Sequence, residues 1–123
     1  MKTAIIYARH ITLRKKEDDI STQVFICKDY AKRNNLEIIK IYADCSNCKL
    51  KSYIDFENMI EEVKTLKPNK IILSSMLILG RYLKQIKKFI NACKKRKVEV
   101  VFVDYEENPY SKLLKNLLKR SLV

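Results

Sequence analysis

The chain has 123 residues, enough to bury the core of one domain, and its 47% content of hydrophobic residues excludes an intrinsically disordered protein. Lysine and arginine number 26 against 14 acidic residues, and the formal net charge of +12 favours polyanionic partners such as nucleic acid. Abundant lysine is also typical of proteins from AT-rich genomes, so charge alone does not establish that partner. No apolar run reaches the roughly 20 residues of a membrane span, and no signal peptide is evident, so we expect a cytoplasmic protein without membrane association.

The first apolar stretch, residues 3 to 8, predicts a buried strand that ends in Arg9, His10, Ile11 and Thr12. In an open α/β sheet, the residues at the carboxyl ends of the strands face the crevice where ligands bind. Arg9 is therefore either a ligand-binding residue or a solvated cation that follows a core strand.

Strand and helix patterns alternate along the rest of the chain. Asp55 is placed to cap the helix at 56–66, whose core stripe ends at Leu66, and Pro68 lies just beyond it. The alternation predicts an α/β fold, with a mainly parallel four- to five-stranded sheet, flavodoxin-like layering and helices on both faces, in one domain spanning 1–123. The further strands are expected at 36–42, 70–75 and 98–104, and the helices at 21–35, 56–66, 81–95 and after Pro109.

The segment from Arg81 to Lys97 is strongly basic and contains no acid. It is either a patch that binds nucleic acid or the solvated outer face of a helix. The basic patch comprises Lys84, Lys87, Lys88, Lys94, Lys95, Arg96 and Lys97.

The chain contains four cysteines, but they do not predict a metal site. Cys45 and Cys48 form one C-x-x-C without a second pair, and a catalytic dithiol would need a helix N-terminus where the polar sequence predicts a loop. We expect reduced thiols, with Cys27 and Cys93 on the core faces of helices. The single glycine excludes the usual dinucleotide and phosphate loops. With the cysteine pattern against a metal site, neither a metal nor a cofactor is predicted.

Several short motifs occur in a characteristic order: Tyr7-Ala8-Arg9, Ser21-Thr22-Gln23, Tyr30-Ala31, Phe56-Glu57-Asn58-Met59 and Leu79-Gly80-Arg81. In this order they resemble the catalytic domain of the serine recombinases of the resolvase and invertase type. The resemblance implies DNA as the partner, a serine that attacks a phosphodiester, arginines that hold the phosphate, and no metal. It assigns phosphate or DNA binding to Arg9, Arg81 and Gln23.

The sequence departs from the family pattern at the reactive positions. Ile11 stands where the resemblance places the nucleophilic serine, and Leu77 and Ile78 replace an Asp and an Arg of the family motif. We therefore expect a resolvase-like module linked to site-specific DNA recombination that associates with DNA or with an intact recombinase but does not cleave strands. The alternative is an active recombinase or other phosphoryl-transfer enzyme that uses Thr12 or another hydroxyl such as Ser21, although Thr12 would point away from the Ile11 side of an extended backbone.

The end of the chain is rich in leucine. By the resemblance, this stretch is the beginning of a dimerisation helix, which predicts a homodimer or pairing with a related recombinase; burial against the sheet is the alternative. No C-terminal DNA-binding domain is expected within these residues. The stripe consists of Leu113, Leu114, Leu117, Leu118 and Leu122.

Overall fold

A computed structural model of the chain describes residues 1–10, 19–45, 53–79 and 83–107. Four strands form one sheet, in the spatial order β2-β1-β3-β4, and every neighbouring pair is parallel. The predicted parallel α/β architecture is confirmed. The strands are β1 (Lys2–His10), β2 (Leu36–Cys45), β3 (Lys70–Leu73) and β4 (Glu99–Phe102).

Helices connect the strands and cover both faces of the sheet, as predicted. On one face α1 packs through Cys27 against Ala4 and Ile6, whereas on the other Met59 of α2 and Phe89 of α3 pack against side chains such as Tyr7. Because both faces are covered, β1 is buried without interruption from Ala4 to Arg9, which explains its continuous apolar sequence. The helices are α1 (Ile20–Arg33), α2 (Ile54–Leu66), α3 (Leu83–Lys95) and α4 (Val103–Glu107), with a 3-10 turn at Met76–Leu79.

The amino edge of the sheet is joined by Asn69, which lies between α2 and β3. Its side-chain oxygen accepts a hydrogen bond from the Thr3 amide at 2.8 Å, and its own amide donates to the Thr3 carbonyl at 2.9 Å. Its carbonyl accepts from the Glu99 amide at 3.0 Å. One residue therefore fixes the beginnings of β1, β3 and β4 relative to one another.

The structure corrects several local predictions. Strand β2 continues to Cys45 and does not end at residue 42, because it pairs with β1 as far as His10. Strand β4 ends at Phe102 and not at Asp104, because the chain turns into α4, where the Asp104 amide donates to the Ser74 carbonyl at 3.1 Å. Strand β3 ends at Leu73 and not at Ser75. Leu66, predicted in the core stripe of α2, is 38% exposed at the last residue of the helix.

In the part of the chain that the structure describes, no helix is long and apolar enough to cross a membrane.

The C-terminal leucines lie outside that part, and their role in association remains a prediction.

Candidate phosphate site at the carboxyl end of β1

Arg9 occupies the carboxyl end of the central strand, where the sequence predicted a ligand crevice. It lies opposite Asp44 in the parallel register of β1 and β2, as Tyr7 lies opposite Tyr42. Side chains alternate along a strand, so Tyr7 and Arg9 project to the same face, the one covered by α2. Arg9 is only 7% exposed and is therefore a buried cation, not a solvated one.

The backbone of Arg9 is held by Gln23 of α1. The Arg9 amide donates to Gln23 Oε1 at 2.9 Å, and Gln23 Nε2 donates to the Arg9 carbonyl at 2.7 Å. Strand β3 pairs with β1 only as far as Ile6, so the Gln23 amide takes the place of a neighbouring strand beyond that point. Gln23 is 1% exposed and acts here as a positioning residue; direct contact between Gln23 and a phosphate remains a prediction.

Asp44 links the site to α2. Its Oδ2 accepts hydrogen bonds from the Tyr7 hydroxyl at 2.7 Å and from the Phe56 amide at 2.9 Å, and its Oδ1 accepts from the Asp55 amide at 2.9 Å. A carboxylate in this position satisfies helix amides that have no intrahelical partner and complements the helix dipole. The cap of α2 is therefore Asp44 and not Asp55 as predicted, because Asp55 lies inside the helix and accepts instead from the Ala43 amide at 3.1 Å.

The Tyr7 phenol is a neutral hydrogen-bond donor. Burial raises its pKa far above the ordinary value, the hydrogen bond to Asp44 raises it further, and the neighbouring Arg9 only partly opposes these effects. Tyr7 therefore keeps its proton at any physiological pH and stabilises the Asp44 carboxylate.

The guanidinium of Arg9 stacks on an aromatic side chain. Its central carbon lies 3.8 Å from the centroid of the Tyr53 ring, a cation–π distance. Phe56 supports both aromatic neighbours of the arginine, with ring centroids 6.1 Å from Tyr53 and 5.2 Å from Tyr7. Stacking leaves the edge of a guanidinium plane as the part that can form hydrogen bonds, and this edge matches the oxygens of a phosphate. Neither spacing nor charge in the sequence indicates that Tyr53 covers Arg9.

The structure describes only some of the other predicted site residues. Ile11, Thr12 and Arg81 lie outside the described residues, so convergence of Arg81 with Arg9 remains a prediction. Of the two family positions replaced in the sequence, Ile78 is buried at 2% exposure and Leu77 is exposed. The basic patch lies on α3 and the turn after it: Lys84, Lys88, Lys94, Lys95, Arg96 and Lys97 are exposed, and Lys87 is half-buried.

The prediction for the thiols in helices is confirmed. Cys27 and Cys93 are free and buried, and burial raises the pKa of each thiol to about 12. The C-x-x-C pair Cys45 and Cys48 lies outside the described side chains. Among the described residues, no group of three or more potential ligands comes together to hold a metal ion.

Comparison with known proteins agrees with the fold and with the motif order. The sequence model of a family described as "Resolvase, N terminal domain" matches residues 4–120. No curated protein matches the sequence.

Solved structures of serine recombinases have a similar fold. The N-terminal catalytic domain of TP901-1 integrase superposes with a TM-score of 0.76 at 14% identity, over 97% of this chain and 93% of that one. A resolvase family site-specific recombinase from Streptococcus pneumoniae gives 0.74 at 15% identity, over 98% and 88%. The C-terminal catalytic domain of ISC1926 TnpA, an IS607-like serine recombinase, gives 0.69 at 16% identity, over 95% and 78%. The family match over residues 4–120 explains the order of motifs around Arg9 and Gln23. The chain belongs to the resolvase N-terminal domain family.

Proposed function

We propose that this chain is a recombinase-like module that binds DNA backbone at the carboxyl edge of its sheet and takes part in site-specific recombination without cleaving strands. The observation that carries the proposal is the contrast between Arg9 and the position two residues later. Arg9 is held in place by Gln23 and Tyr53, whereas Ile11 has no hydroxyl with which to attack phosphorus.

The surroundings of Arg9 support phosphate binding. The backbone is anchored on both its donor and its acceptor by Gln23, and the side chain is restrained by the Tyr53 ring, so little conformational entropy is lost when a ligand binds. A guanidinium stays charged at every working pH and can hold two phosphate oxygens at once. Arg81, if it reaches the same crevice, adds a second fork.

The surroundings of Arg9 do not support nucleophilic attack. A nucleophile has to approach phosphorus to about 3–3.5 Å with a reactive oxygen. The phenol beside Arg9 is that of Tyr7, which is fully buried, donates a hydrogen bond to Asp44 and has a strongly raised pKa. It therefore offers neither a free oxygen nor an accessible phenolate.

Association with other chains is part of the proposal. The family resemblance supports pairing with a second copy or with an intact recombinase, through Leu113, Leu114, Leu117, Leu118 and Leu122. A module that binds DNA backbone and a recombinase but cannot cut would change how a recombination complex assembles.

DNA binding is tested by fluorescence anisotropy with a short mixed-sequence duplex at several salt concentrations. Loss of one phosphate contact reduces the magnitude of the negative slope of log affinity against log salt by about 0.9, which lowers the affinity about eightfold at 0.1 M salt. We expect this loss for Arg9→Gln and a smaller one for Arg33→Gln, which removes the same charge from an exposed ion pair on α1. Equal losses in the two variants would show that Arg9 contributes only net charge.

Strand cleavage is tested by looking for a covalent protein–DNA adduct on supercoiled plasmid after denaturation with detergent. We expect no adduct from the wild type. An adduct that disappears in Thr12→Val would refute the non-cleaving function and support the alternative of an active enzyme with a threonine nucleophile.

A further inference from the structure

A basic groove lies at the amino edge of the sheet, at the opposite end of β1 from Arg9. It has a volume of about 420 Å³ and is formed by the turns that follow α2 and α3. Among the described residues that line it, five are cationic and none is acidic. The five cations are Lys64, Lys67, Lys95, Arg96 and Lys97.

The base of the groove is firmly built. Asn69 lines it and ties β1, β3 and β4 together through its hydrogen bonds to Thr3 and Glu99. Val63 and Val98, which also line it, belong to the hydrophobic core. The two basic turns are therefore held at a set separation by the sheet beneath them.

Two of the cations occupy backbone positions that do not favour lysine. Lys67 and Lys97 have φ angles of 46° and 61°, in the left-handed region that usually selects glycine or asparagine after a helix. The corresponding position after α1 carries Asn35, with a φ of 55°. The backbone conformation of these two turns favours glycine or asparagine, so it does not explain why both carry lysine. Residues kept in an unfavourable backbone conformation often serve a function.

Much of the charge in the groove is not compensated. Lys64 pairs with Glu61 at 2.9 Å, and its hydrogen bond lowers the pKa of that carboxyl, to which the charge of Arg96 adds a smaller effect in the same direction. Lys67, Lys95 and Lys97 form no ion pair with an acid in the described part of the chain, and all three are exposed. The groove thus presents several cations with little opposing charge.

We propose that this groove is a second binding surface for nucleic-acid backbone. Thr3, beside the groove, precedes Arg9 by six residues of extended strand, or about 20 Å, so one phosphate cannot contact both sites. The apolar residues among the described lining, Val63, Pro68 and Val98, are buried, so the lining offers no exposed apolar anchor of the kind that protein interfaces use. Point charges without an apolar anchor suit the phosphates of a nucleic acid, and the domain then contacts two separate stretches of DNA.

The inference rests on the proposed function only in taking DNA as the ligand. Its test is the double variant Lys67→Asn/Lys97→Asn, which removes two charges and introduces asparagine, a residue that accepts the left-handed backbone conformation. If each lysine contacts one phosphate of a mixed-sequence duplex, the magnitude of the negative salt slope decreases by about 1.8 and affinity at 0.1 M salt falls about 60-fold. The melting temperature is expected to stay the same or rise, so reduced binding cannot be attributed to unfolding.

The matched control is Lys28→Gln/Lys32→Gln, which removes the same charge from exposed positions of α1. We expect this control to lose much less affinity than the groove variant. Equal losses of affinity in the two variants would overturn the inference. Binding to polyglutamate is measured in parallel, and a groove variant that loses binding to polyglutamate but keeps binding to DNA would also overturn it. If Arg9→Gln has no effect while the groove variant loses affinity, the proposed role of Arg9 fails and the groove remains a DNA-binding surface.

Discussion

The hydrogen bonds of Asp44 are the contacts in this site whose contribution to the free energy of unfolding can best be estimated. Its carboxylate accepts hydrogen bonds from the Tyr7 hydroxyl and from the Asp55 and Phe56 amides, and it is 5% exposed. Asp44→Ala removes the cap of α2, at a cost of about 1 kcal/mol. It also leaves the buried Tyr7 hydroxyl without an acceptor, at a further cost of about 1–3 kcal/mol. We expect a loss of about 2–4 kcal/mol in the free energy of unfolding.

Tyr7→Phe separates the two contributions. It removes the buried hydroxyl, and Asp44 keeps both backbone hydrogen bonds, so the expected loss is about 0.5–1.5 kcal/mol. In the Tyr7→Phe/Asp44→Ala double variant no hydroxyl is left unsatisfied. Its destabilisation is therefore expected to be smaller than the sum of the single effects by about 1–2 kcal/mol.

Urea unfolding followed by circular dichroism measures the free energy of unfolding of the wild type, the two single variants and the double variant. The values can be compared if this free energy depends on urea concentration equally in all four proteins. Circular dichroism of the folded variants checks that α2 still forms. Strict additivity would refute the reasoning, because it would mean that the phenol and the carboxylate do not depend on each other. A loss below about 1 kcal/mol for Asp44→Ala would show that water replaces the carboxylate at the end of α2.

Three further perturbations test other parts of the structure. Gln23→Ala removes both hydrogen bonds to the Arg9 backbone and is expected to cost about 2–4 kcal/mol in urea unfolding, whereas a cost under 1 kcal/mol would show that Arg9 does not need this support. Burial raises the pKa of Cys27 and Cys93, so mass spectrometry after brief alkylation at pH 8 should find both unmodified in the folded protein and modified in urea; rapid native labelling would contradict their place in the core. The hydrogen bond from Lys40 lowers the pKa of Glu62. The ion pair therefore stabilises the folded protein fully above the ordinary carboxylate pKa of about 4.3, and this stabilisation is lost as the pH falls through the lowered pKa. The stability difference between wild type and Glu62→Gln should therefore shrink in acid, and a difference independent of pH would argue against that ion pair.

The DNA experiments distinguish two ends of one small domain. Arg9 is a buried cation in an aromatic and hydrogen-bonded setting, whereas the groove residues Lys67 and Lys97 are exposed charges on turns. A buried, oriented arginine is expected to discriminate among phosphate geometries. The exposed lysines are expected to respond mainly to salt.

The sequence by itself determined the architecture. The continuous apolar run at Ala4–Ala8 predicted a strand buried on both faces, and the three-to-four spacing around Met59 and Cys27 predicted helices that cover it. These patterns depend on residues that are near one another in the chain, so they can be identified without knowing the fold. The motif order around Arg9 also indicated the correct family.

Only the tertiary structure decided how the site and the groove are built. Asp44 caps a helix that begins ten residues later, Gln23 replaces a missing strand beside Arg9, and Tyr53 covers the guanidinium. The groove likewise joins Lys67 and Lys97, which are 30 residues apart. Each of these contacts depends on strand register and on where a helix packs across the sheet. Local sequence patterns specify which face of an element is buried, but they do not specify which distant residue meets it.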